Sequence, residues 1–160
     1  MNVKRTNWLA AILLTGYSAL LIRFVVFKAV PTIAIGHMRI RFAGTHTGPS
    51  NLVPFKTIAT QLAGRGNHLV AMVNLLGNIV LFLPLGFLAP LAFPIDTWRK
   101  AIVLGICSGL SCEVLEVVFR VGIFDVDDLL LNAFGVLLGF AVFALFEPKS
   151  RIPSRSSPQH

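Results

Sequence analysis

The chain has 160 residues, 55% hydrophobic and 13% charged, against about 25% charged in a soluble domain, and its mean hydropathy is +0.77. This excludes an ordinary cytosolic domain and leaves room for four spans of about 20 apolar residues. In so apolar a chain the anionic surface implied by a net charge of +7 is lipid, not nucleic acid.

Residues 1–28 read as an N-terminal transmembrane helix. Lys4 and Arg5 precede an apolar run from Trp8 to Phe27 that is broken only by Arg23 and has no AxA-type cleavage site, so it is expected to be a retained span. Residues 29–68 read as one long extracytoplasmic loop, with turn signals at Gly44, Gly48-Pro49 and Gly64-Arg65-Gly66. With Lys28 at its edge it carries Arg39, Arg41, Lys56 and Arg65 and no acid. Residues 69–147 hold three more spans, Leu69 to Phe93, Ala101 to Phe119 and Leu129 to Phe146, joined by short links. Residues 148–160 are rich in Ser, Pro and Arg and read as a disordered cytoplasmic tail. The expected fold class is all-α, a polytopic membrane protein built as a bundle of four transmembrane helices.

Lys4, Arg5, Arg99, Lys100, Lys149, Arg151 and Arg155 fall on one side of such a bundle, and the basic loop and Arg120 on the other. The basic residues that flank span one, and the acids Asp125, Asp127 and Asp128 on the loop side, favour both termini in the cytoplasm. Cys107 and Cys112 share one helix about 140° apart and cannot pair.

The polar residues inside the spans converge. Asn74 and Asn78 lie near the start of span two, Glu113 and Glu116 near the end of span three, and Asn132 near the start of span four. Because successive helices reverse direction, all of them lie towards the same membrane face. Glu116 is about 60° round from Glu113 and Arg120 returns to within about 20° of it, so the three share one stripe. Gly105 and Gly109, with Gly135 and Gly139 on span four, supply small surfaces for close helix packing. The expected site is a polar pocket of Asn74, Asn78, Glu113, Glu116, Arg120, Asp125, Asp128 and Asn132 above that glycine floor. Interhelical hydrogen bonds account equally well for the asparagines, and snorkelling accounts for Arg23. Glu113 differs, because a carboxylate well inside the boundary is costly unless it is protonated, paired or wet. Asp128 lies one turn before Asn132 and ranks above Asp127, which is rotated about 100° away and expected to be the more solvated. Asp125 precedes the span and can either cap it or reach the pocket.

The segments NLVPFKTI (51–58), NLLGNIVLFLPLGFLAP (74–90), SCEVLE (111–116) and FDVDDLLLNAFGVLLGF (124–140), in this order and spacing, resemble the VanZ-like family. The matched positions are Asn51, Pro54 and Phe55 as a loop motif, Asn74, Asn78, Pro84 and Gly86 in span two, Glu113 in span three, then Asp125, Asp128, Asn132 and Gly135. Where the family commonly has Gln, three residues after the span-three Glu, this chain has Glu116. The resemblance implies a small multi-pass protein of the bacterial plasma membrane, of a family whose namesake is associated with low-level resistance to the glycopeptide teicoplanin.

Two functions compete. One is a binding or shielding protein that holds an anionic envelope lipid, or a lipid-linked cell-wall precursor, and so alters glycopeptide access; basic loop residues are each worth about 1 kcal/mol at an anionic surface. The other is an integral membrane enzyme acting on a lipid-linked substrate, with Glu113 as acid or base and Asp125, Asp127 and Asp128 as ligands for a divalent cation. No HExxH, P-loop or Ser/His/Asp order strengthens the enzyme, and no cofactor is evident. Ion-coupled transport ranks last. Membrane lipid is the expected partner, and the oligomeric state is not readable.

Overall fold

The structure, a computed structural model, describes residues 3–26, 33–35, 38–40, 49–63 and 68–146. The tail 148–160, and Lys28, Arg41 and Arg65 of the loop, lie outside the described residues. The elements in chain order are α1 (Val3–Val25), β1 (Ile33–Ile35), β2 (Met38–Ile40), α2 (Lys56–Leu62), α3 (His68–Ala92), α4 (Trp98–Val118) and α5 (Val126–Phe146). Four of the helices, α1, α3, α4 and α5, are long and apolar enough to cross a membrane.

Two helices begin about a turn earlier than hydropathy places them, and in each a polar side chain sets the start. Thr97 caps α4, its hydroxyl accepting from Lys100 N at 3.4 Å. Asp125 caps α5, its Oδ1 accepting from Asp127 N at 2.9 Å. The long loop is not featureless. It contains an antiparallel hairpin, with Ile33 opposite Ile40 and Ile35 opposite Met38, and the short helix α2.

The long helices stand in the order α1, α3, α5, α4. α5 packs against both α3 and α4, α1 lies on the outer side of α3, and α3 and α4 meet only marginally. Lipid tails are as apolar as leucine, so helix association in a membrane depends on close contact more than on hydrophobic burial. Glycine provides that contact here. A side chain at Gly135 would strike the Ile79 carbonyl, one at Gly139 the Leu83 carbonyl, and one at Gly86 the Val136 carbonyl. Since 79 faces 135 and 83 faces 139, α3 and α5 run parallel. On the other side Gly105 faces Ala133 and Gly109 faces Leu129, so α4 and α5 run antiparallel in a register that carries Glu113 to Asp125.

Leu14, Leu21 and Val25 of α1 join Phe82, Leu85 and Ala89 of α3, Cys112 of α4 and Val136 of α5 in the main core. Tyr17 ties α1 to α3 by donating to the Leu81 carbonyl at 2.6 Å. A second cluster, Ala101, Phe140 and Phe143, lies at the α4-start end, where Trp98 meets Phe140 edge to face with centroids 4.9 Å apart. The outward faces, including Ile12, Val80, Val103, Ile106, Phe134 and Leu145, are exposed and apolar, as a lipid-facing surface must be. The polar residues are left to the opposite end of the row.

Candidate functional site

The α5-start end of the row is built around the segment 124–128. Asn51 pairs with Asp125 in a parallel bridge: Asn51 N donates to Phe124 O at 2.8 Å and Val126 N to Asn51 O at 3.0 Å. The Asn51 side chain is fully used, with Nδ2 donating to Asp125 Oδ1 at 2.9 Å and to Thr57 Oγ1 at 3.0 Å, and Oδ1 accepting from Val53 N at 3.2 Å. Thr57 Oγ1 donates to Asp125 Oδ2 at 2.7 Å. Asp125 therefore caps its own helix and holds the loop with the same carboxylate.

Asp127 completes the clamp. Its Oδ1 accepts from Phe55 N at 2.5 Å, and its Oδ2 from Thr57 N at 2.7 Å and Ile58 N at 3.1 Å. These N–H groups are orphans at the start of α2, where a negative charge also suits the helix dipole. Phe55 has φ 65° and makes no side-chain cap, so the cap of α2 comes from α5 instead. Pro54 precedes this turn and is exposed. The loop motif and the DVDD run are thus two halves of one joint.

Glu113, only 2% exposed, accepts from Asp125 N at 2.8 Å through Oε2, and the carboxyls of Asp128, Glu116 and Asp125 stand within electrostatic range of it. Across the α3–α5 seam Asn78 Nδ2 donates to Asp128 Oδ1 at 2.9 Å. Asn132 is buried one turn below Asp128, against Gly109. Among the described residues three buried amide oxygens have no hydrogen-bond partner: Gln61 Oε1 on α2, Asn74 Oδ1 on α3 and Asn132 Oδ1 on α5. An unmet buried acceptor costs about 1–3 kcal/mol, so three at one end of one molecule call for a physical account.

Two expectations are corrected. Asp127, expected to be solvated, is fully buried, while Asp128 is the partly exposed one; the 100° rotation holds, but the direction away from Asn132 is where the loop docks. Arg120 lies at this end but is exposed and not turned into the buried cluster. α4 stops at Val118, and Arg120 (φ 56°) is the left-handed residue of a Schellman turn in which Val121 N donates to Glu116 O at 2.9 Å and Arg120 N to Val117 O at 3.1 Å. The stripe from Glu113 to Arg120 needed a helix that does not continue. Glu116 is buried, its side chain facing Gly122.

Among the described residues no group of three His, Cys, Asp or Glu side chains converges so as to hold a metal ion. Asp125 and Asp127 both turn to the loop, where they meet at Thr57, while Asp128 turns to Asn78. Thr57 and Gln61 were not singled out by sequence. Thr57 lay inside a recognised motif and could have been found there, whereas Gln61 carries no local signal.

Among known proteins, the family model VanZ/LLP1 matches residues 14–147, taking in most of span one and the whole loop as well as the motifs between 51 and 140. No curated protein and no solved structure matches significantly. Because the family match covers most of the chain and includes both halves of the joint between the loop and α5, this membrane protein belongs to the VanZ/LLP1 family.

Proposed function

We propose that this VanZ-like protein is a binding or shielding component of the bacterial plasma membrane, holding an anionic envelope lipid or lipid-linked cell-wall precursor at its polar end and so contributing to glycopeptide (teicoplanin) resistance. Both termini are cytoplasmic in this reading, and the α2 end faces outward. The observation that carries it is the closure of a buried acid and amide cluster by a loop segment, at one end of a molecule whose long helices are apolar on their outward faces. A polar cluster bordering lipid suits an amphiphile whose head group is polar and whose chains are not. Lys56, exposed in the first turn of α2, supplies positive charge for a phosphate.

Binding is favoured over metal-assisted turnover because Asp125 and Asp127 spend their oxygens on the loop, so the DVDD run does not offer the three carboxylates that reading calls for. Expression in a teicoplanin-sensitive bacterium tests the reading: the parent chain should raise the inhibitory concentration, and Asp127→Ala, which unclips the loop, should abolish the rise at equal membrane abundance. No rise with the parent chain would sink it.

A further inference from the structure

We propose that the polar end closed by α2 binds a primary ammonium group, supplied either by the head of an aminophospholipid or by a soluble amine. This deepens the envelope-binding reading above and rests on it. The argument starts from the unmet groups, all of which are acceptors. Gln61 Oε1, Asn74 Oδ1 and Asn132 Oδ1 are buried without a donor on three elements, α2, α3 and α5, that pack on one another.

Asn132 is 1% exposed, and a helical side chain leans towards the preceding turn, here that of Asp128. It lies one turn after Asp128 on α5 and against Gly109, which is itself one turn before Glu113 on α4. Glu113 in turn has Asp128, Glu116 and Asp125 as its acidic neighbours. A phosphate brings acceptors only and finds no donor among these oxygens, so the lipid's phosphate stays outside with exposed Lys56 and its amine enters. A water or a hydroxyl brings acceptors along with its donors. An ammonium brings three donors, no acceptor and a positive charge, which is what amide oxygens beside carboxylates lack. Among the described residues no three His, Cys, Asp or Glu side chains group so as to hold a metal ion. α2 both contributes Gln61 and is held in place by Asp127, so docking of the loop encloses the occupant.

The full chain is purified into nanodiscs of phosphatidylglycerol with equal parts phosphatidylethanolamine and phosphatidylcholine, and retained lipid is counted by native mass spectrometry. Phosphatidylcholine keeps the charge but replaces every N–H donor by methyl. The expected result is at least tenfold retention of phosphatidylethanolamine over phosphatidylcholine, lost in Asn132→Leu. Should Asn132→Leu fail to fold, Gln61→Leu on the loop side makes the same comparison. Displacement by millimolar ethanolamine assigns the site to the amine alone, and persistence in its presence assigns it to the lipid. Equal retention of the two lipids by the parent, or an undiminished preference in a folded variant, overturns the proposal. The measurement involves no antibiotic, so it can fail while the resistance reading stands, and the reverse.

Discussion

Asp127 stands in the first turn of α5, yet both of its oxygens serve α2. Removing it leaves three N–H groups unmet and uncaps a helix of only seven residues, too short to persist alone. Asp127→Ala should cost about 3 kcal/mol, in line with the loss of charged hydrogen bonds, and should open residues 51–63 to protease in detergent. Asp127→Asn keeps one acceptor oxygen and should lose markedly less. Arg120 makes the opposite case. It occupies the left-handed position of the turn that ends α4 (φ 56°), where glycine is free of strain, so Arg120→Gly should stabilise by about 1 kcal/mol in thermal unfolding. Helical geometry correctly separated Asp127 from Asp128 in the sequence. What it could not supply was the loop, a partner about 70 residues away, which turns the outward side of α5 into an interior.

At the scale of elements, glycine decides which helices touch. Gly135 and Gly139 meet carbonyls of α3 closely enough that a methyl forces the helices apart, while at Gly105 and Gly109 the nearest atoms of α5 stand at 3.0 Å. Overpacking of this kind costs about 1–3 kcal/mol. Gly139→Ala is expected at the upper end, Gly105→Ala at or below the lower end, and Gly16→Ala, which meets nothing within 4 Å, should be neutral; detergent melting temperatures rank them. The GxxxG spacings were legible because a one-turn repeat is a property of the chain alone. Which neighbour each pair faces was not, and α5 proves to serve both sides. At the start of α4, Lys100 holds the Asp96 carboxyl below the usual carboxylate range through a hydrogen bond at 2.7 Å. A lowered folded value adds stability above the unfolded pKa and loses it as pH falls through the folded one, but both side chains are solvated, so Asp96→Asn should leave the melting curve unchanged.

Across the whole molecule, the convergence of Asn74, Asn78, Glu113 and Asn132 on one end follows from depth and alternating helix direction, which the chain encodes without any contact. The docked loop does not follow, because a bridge between Asn51 and Asp125 spans 74 residues and has no local signature. The same directions fix a test of orientation. Ala63, exposed after α2, lies at the polar end, and Asp96, exposed between α3 and α4, lies at the other. In a chain with Cys107 and Cys112 replaced by Ser, Ala63→Cys should react with a membrane-impermeant maleimide in intact cells, and Asp96→Cys only after permeabilisation. The basic residues Arg99 and Lys100 beside Asp96 favour that end inside, since lysine and arginine near a span are retained in the cytoplasm. The reverse labelling pattern would turn the polar end towards the cytoplasm. The acid and amide cluster would then face the wrong side for contact with extracellular glycopeptide, and shielding of an outward-facing precursor would fail as a function, whatever the site binds.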